Sequence, residues 1–145
     1  MSQLRKKWVV GFLIRNGKEV ALVRKTHPAW QKGYLNGVGG KIERGETPLV
    51  AMRREFREEA GLDIRRWREY ALLTLEYGEL YFFIAHGRGA LRSPTDEQVA
   101  WYKLRDLNKF KVIPDLRWLI PMGLDRGAEH AVVEYVERLA LGKSH

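Results

Sequence analysis

Two runs of strand-forming residues, Trp8 to Arg15 (WVVGFLIR) and Lys18 to Lys25 (KEVALVRK), flank Asn16-Gly17. Asn and Gly tolerate the positive φ angles that a two-residue turn requires, so this pattern is the strongest short-range hairpin signal a chain can carry. A Gly-rich stretch with one proline follows, THPAWQKGYLNGVGG, and reads as a functional loop. Strand-like residues resume at Gly37 to Ile42.

The next element reads as a helix from Thr47 to Ala60. Thr47 suits the N-cap, Pro48 the first helical position and Gly61 the residue just past the end. Leu49, Met52, Phe56 and Ala60 recur at helical spacing and should pack on a sheet. Tyr70 to Glu76 and Glu79 to His86 form a second strand pair about Tyr77-Gly78, and Gln98 to Leu104 reads as a further strand. Pro114 opens a short helix, Asp115 to Met122. Ala128 to Leu141 reads as a terminal amphipathic helix with Val132, Val133, Val136 and Leu139 in its apolar content. Hairpins mixed with helices predict an α/β or α+β fold in which helices cover a mixed sheet, one domain over residues 1–145.

Composition narrows the chemistry. The 145 residues include no cysteine, which excludes a disulfide framework, a thiolate zinc site and cysteine catalysis, and suits a reducing cytoplasm. No apolar run approaches a membrane span. Arg15 cuts short the apolar run after Arg5-Lys6-Lys7, so a strand is preferred to a signal peptide there. The net charge of +8 fits an anionic ligand, although the basic residues are scattered along the chain and also read as a solvated surface.

The chemistry concentrates in Gly40 to Leu62, GKIERGETPLVAMRREFREEAGL. Glu55, Glu58 and Glu59 stand at i, i+3 and i+4 on one helical face. Like charges at that spacing repel unless a cation sits between them, and hard oxygen donors suit Mg²⁺ or Mn²⁺. Three glutamates alone equally describe a solvated acidic face neutralised by Arg53, Arg54 and Arg57. The full pattern decides between these. Gly40, Glu46, Arg54-Glu55, an apolar residue at 56, Glu58-Glu59, Gly61 and an apolar residue at 62 resemble the signature box of the Nudix hydrolases. Chance agreement at a given start is on the order of 10⁻⁸ from average residue usage. Phe56 is larger than the usual aliphatic residue there but keeps the position apolar.

That resemblance implies a mixed sheet between helices, and Mg²⁺- or Mn²⁺-dependent hydrolysis of a nucleoside diphosphate linked to a further group. It implies Glu55, Glu58 and Glu59 as catalytic metal ligands, joined by the Gly40 carbonyl, with Glu55 the choice for general base. Glu46 and Arg54 would form an ion pair shaping the loop, and Gly61 would close the box. A fourth carboxylate often completes such sites. Glu97 is the candidate, its alternative being an ordinary turn residue in Pro94-Thr95-Asp96-Glu97.

The run LNGVGGK before the box resembles the sanitising, MutT-like subgroup that acts on oxidised purine nucleoside triphosphates. On that likeness Asn36 contacts the base, Arg24 and Lys41 face the phosphates, and Asp115 reads the purine edge with Trp118 lining it. Leu116 stands where those relatives carry a second acidic residue. Asp115 also reads as a helix-start residue and Trp118 as core. Trp30 is a candidate lid or stacking platform. The expected reaction converts a nucleoside triphosphate to monophosphate and pyrophosphate. The alternatives are ADP-ribose, a dinucleoside polyphosphate, an RNA 5′ end, or a regulator without catalysis; the last is disfavoured because every box glutamate is present. The expected partner is the nucleotide, with no membrane, RNA not favoured, and a monomer or homodimer.

Overall fold

A computed structural model describes residues 5–127 and 129–134. In chain order its strands are β1 (Lys6–Arg15), β2 (Glu19–Arg24), β3 (Leu35–Asn36), β4 (Val38–Lys41), β5 (Arg68–Thr74), β6 (Gly78–His86), β7 (Val99–Lys103) and β8 (Ala131–Glu134). Two α-helices accompany them, α1 (Pro48–Ala60) and α2 (Leu116–Leu124). All eight strands belong to one mixed sheet with the path β3-β2-β1-β6-β5-β8; β4 also pairs with β1, and β7 with β2.

Strand β1 is the axis of the sheet, and its alternating side chains feed two cores. Val9 and Leu13 point to the α1 side with Ala21, Val23, Phe83, Met52 and Phe56. Val10, Phe12 and Ile14 point to the α2 side with Leu22, Phe82, Ile84, Leu116 and Ile120. Each such fully buried side chain contributes roughly 1.5–3 kcal/mol by leaving water. Gly11 lets α1 approach closely: a Cβ there would lie 2.6 Å from Met52 Cε and 2.9 Å from the Trp67 ring.

The β1–β2 hairpin splays apart, and residues 35–41 are wedged into the split. Ile14 and Arg15 pair with Val20 and Glu19 near the turn, with Asn16 and Gly17 at φ 54° and 65°. Farther along, Trp8 to Gly11 pair instead with Lys41 to Val38, while Val23 and Arg24 pair with Asn36 and Leu35. Gly37 stands where the wedge switches partner. A Cβ there would meet Val10 Cγ1 at 2.7 Å and Phe12 Cε1 at 2.8 Å, so the strands close only around glycine.

The expected mixed sheet with helices on its faces is what is found, and most elements fall near their predicted positions. Three details differ. The single strand predicted over Gly37–Ile42 is the broken pair β3 and β4. Leu49 is 46% exposed; the α1 face that meets the sheet is Ala51, Met52, Phe56 and Ala60. The predicted terminal helix is overturned where it is described: residues 131–134 form β8, parallel to Ala71–Thr74 of β5. Val132 and Val133 alternate between exposed and half-buried, a period of two that β-branched residues favour. Val136 and Leu139 lie outside the described residues. No helix among the described residues is long and apolar enough to cross a membrane.

Candidate active site

Helix α1 presents the carboxylates, and its ends fix their height. Thr47 Oγ1 accepts a hydrogen bond from Val50 N (3.2 Å), Pro48 begins the helix, and Gly61 ends it at φ 75° with its N–H donating to Arg57 O (3.0 Å). Glu55 is buried against β4. A Cβ on Gly40 would overlap the Glu55 carboxylate, so only a glycine lets the two meet. Burial pushes the Glu55 carboxyl up to about 7; Arg54 opposes this, and Glu58 and Glu59 add to it.

Arg54 organises one side of the site. Its Nε and Nη2 donate to Glu46 at 2.6 and 2.8 Å, a bidentate pair, and Nη2 also donates to the Lys41 carbonyl at 3.0 Å. Nη1 donates to Glu55 and Glu58, both at 3.2 Å. Glu46 in turn accepts from Glu43 N at 2.8 Å. One guanidinium thus closes the loop after β4 and holds two of the three glutamates. The hydrogen bonds from Arg54 keep Glu46 below the ordinary carboxylate range.

Glu59 lies toward β7, where Thr95 Oγ1 donates to it at 3.3 Å. Burial raises its pKa, the Thr95 hydrogen bond opposes, and Glu97 pushes it further up. Glu97 is itself 4% exposed and both its oxygens are engaged. Oε1 accepts from Lys25 Nζ at 3.0 Å; Oε2 accepts from Thr26 N, Thr26 Oγ1 and His27 N at 2.6, 3.1 and 3.3 Å. Burial alone would raise Glu97, but the bonds from Thr26 and Lys25 outweigh it and hold the group below its ordinary value. Glu97 therefore anchors the loop leaving β2. Nothing in the sequence marked Lys25 as its partner.

That loop leads to the base-side candidates. Lys25 N donates to Tyr34 O and Gly33 N to Lys25 O, both at 2.8 Å, which pinches its neck. A 3₁₀ turn, Ala29–Gln31, carries Trp30, 68% exposed. Gln31 Oε1 accepts from Asn36 Nδ2 at 3.1 Å, and Asn36 Oδ1 accepts from Gly37 N at 2.7 Å, so the Asn36 amide is oriented from both ends. Gln31 was not legible as a site residue from sequence. Leu35 exchanges hydrogen bonds with Lys111 O (2.8 Å) and Ile113 N (2.9 Å), which carries Pro114 and Asp115 to the Asn36 edge of the sheet. The Asp115 side chain makes no capping bond to α2, and Trp118 is 37% exposed rather than core. Leu116 is buried in the α2-side core. Arg24 donates to Gly33 O at 3.2 Å, and Lys41 is exposed at the end of β4.

The donor set suits a hard divalent cation. Three carboxylates share one helix face, one of them is buried without enough positive charge beside it, and the absence of a side chain at Gly40 leaves room for that carboxylate. Among the described residues no three carboxylates or imidazoles converge on one point as they stand. Arg54 holds Glu55 and Glu58, and Thr95 holds Glu59.

This sheet, box and helix meet in a known class. The NUDIX domain family model matches residues 5–122, and the chain belongs to the Nudix family. An 8-oxo-dGTP diphosphatase of Escherichia coli (strain K12) is 34% identical over 68 residues, 47% of this chain and 53% of that protein, so the match spans about half of that relative's length. An 8-oxo-dGTP diphosphatase of Buchnera aphidicola is 28% identical over 122 residues, 77% of this chain and 93% of that one. Among solved structures, the MutT protein of Bacillus halodurans superposes with a TM-score of 0.69 at 19% identity, covering 90% of each chain. The NUDIX domain of Shewanella oneidensis NrtR, solved with ADP ribose, gives 0.72 at 17% identity, covering 83% of this chain and 87% of that one. These likenesses are of fold.

Proposed function

We propose that the chain is a divalent-metal-dependent pyrophosphohydrolase of nucleoside triphosphates, oxidised purines included, releasing nucleoside monophosphate and pyrophosphate. The observation that carries the reading is the Glu55 carboxylate, buried against Gly40 and crowded by Glu58 and Glu59. A site that holds such charge together is built to be completed by a cation. The chemistry that Mg²⁺ or Mn²⁺ would supply there is neutralisation of phosphate charge and activation of water for attack. Glu55, Glu58 and Glu59 would hold the ion with the Gly40 carbonyl. Glu55, the box carboxylate buried against β4, would also take the proton of the attacking water. Arg24 and Lys41 meet the phosphates. Asn36 and Asp115 meet the base edge, and Trp118 offers it an aromatic face. Glu97 acts through Lys25 and the 26–27 turn rather than as a ligand of the resting site.

The relatives named as 8-oxo-dGTP diphosphatases support the choice of substrate. The test is release of phosphate and pyrophosphate across a nucleotide panel with Mg²⁺ or EDTA. Pyrophosphate should appear fastest from 8-oxo purine triphosphates and vanish with EDTA. Faster turnover of ADP-ribose or of triphosphorylated RNA would replace this reading.

A further inference from the structure

Arginines that are scattered in the sequence are gathered by the fold at one end of the molecule. Two loops meet there, residues 61–68 after α1 and residues 86–92 after β6. Arg92 N donates to Ala60 O at 2.8 Å, and the Arg92 side chain lies against Gly61. Leu62 packs on Gly89, and Ile64 on Gly87. Together these loops carry Arg65, Arg66, Arg68, Arg88 and Arg92 against a single acid, Asp63. Arg57, in the last turn of α1, acts on Asp63; beyond α2, on the other side of the sheet, Arg126 lines an open depression of about 530 Å³ with Arg68, His86 and Glu129.

Two of the nearby acids are already paired. Asp63 is held at 2.6 Å by Arg53, whose hydrogen bond brings it down to about 2, and Arg65 lies 3.7 Å from it. Glu69 pairs with His130 at 2.7 Å. Glu129 lines the depression with Arg68 and Arg126. The seven arginines are all exposed. Arg57, Arg66, Arg88 and Arg92 make no side-chain ion pair or hydrogen bond to any described residue, which leaves their donors open.

We infer that this surface binds the sugar–phosphate backbone of a nucleic acid strand. A fold needs no such concentration of like charge, which destabilises it by self-repulsion. The residue type points to phosphate, since guanidinium groups present forked donors that match its oxygens. The surface lacks the exposed large apolar side chains that seat a protein on a lipid bilayer: among the described residues these are Trp30, Leu49, Val50, Tyr77, Phe110, Trp118 and Val132, none of them in the two loops. The inference is independent of the proposed hydrolysis.

The experiment measures fluorescence anisotropy of a labelled 20-nucleotide single strand, as RNA and as DNA, with the full chain over a range of salt. The triple variant R66E/R88E/R92E is compared with K6E/K18E/K103E, which changes the net charge equally elsewhere. The arginine triple should weaken binding at least about tenfold and lower the salt slope by about 2, about 0.7 for each lost phosphate contact. The lysine triple should stay within about twofold of the parent. R66Q/R88Q, which removes charge without reversing it, should weaken binding in the same direction if the triple fails to fold. Nucleotide hydrolysis should be unchanged in all three. The RNA and DNA arms tell which strand is preferred. Equal losses in both triples, no binding by the parent, or equal binding to poly-glutamate or to phosphatidylserine vesicles would overturn the assignment.

Discussion

At the scale of single residues, Glu55 and Glu58 share Arg54 yet differ in surroundings. The Glu58 side chain is 54% exposed, so replacing it disturbs packing little. Glu58→Gln should leave the melting curve in EDTA intact and, by weakening the cation that stabilises the phosphate charge, lower turnover about 10²- to 10³-fold, read by pyrophosphate release. Glu55 makes a different prediction. Its folded carboxyl holds a proton up to about 7, against an ordinary value of 4.5. Its contribution to stability is therefore complete below 4.5 and is lost as pH rises through about 7 in metal-free protein. Denaturant titrations in EDTA should show that decline, and Glu55→Gln should flatten it. The box glutamates were legible because their spacing is a property of the chain. Their partners were not: Lys25 reaches Glu97, 72 positions away, and Gln31 reaches Asn36 only because the intervening loop folds back.

At the scale of elements, local signals served best where capping and turn chemistry are intrinsic. Thr47, Pro48 and Gly61 bound α1 as their residue types require, and Asn16-Gly17 turns the first hairpin. They failed where tertiary pairing overrides them. Residues 131–134 are a strand because β5 offers an edge, which sequence periodicity over a short apolar run does not reveal. The break between β3 and β4 arises from the splayed hairpin around it. Close packing of α1 on β1 yields a test. Gly11→Ala would drive a methyl into Met52 and Trp67 and should cost about 1–3 kcal/mol, measured by urea denaturation. A smaller residue at 52 should restore part of the loss.

At the scale of the whole molecule, the proposed cation site would couple metal binding to the fold. A ligand that binds only the native state stabilises it by about 2.7 kcal/mol at a hundred times its dissociation constant. Saturating Mg²⁺ should thus raise the melting temperature at neutral pH, EDTA should reverse the rise, and Glu58→Gln should reduce it. No shift in the parent would remove the cation from the resting description of the site. Such coupling was foreseeable in kind from three glutamates on one face. The burial of one of them against Gly40 was not, because it depends on where β4 lies relative to α1.

The wedge inside the split hairpin has a consequence for what the molecule can accept. Asn36 and Gly40 sit on two short strands joined at Gly37, the first held by β2 and the second by β1, with at most about 13 Å of chain between them at the usual rise per residue. On the proposed reading, that stretch would set the spacing between the residue that meets the base and the residue that meets the cation. A substrate whose ring and anhydride match that spacing would then engage both points, and a longer or shorter one only a single point.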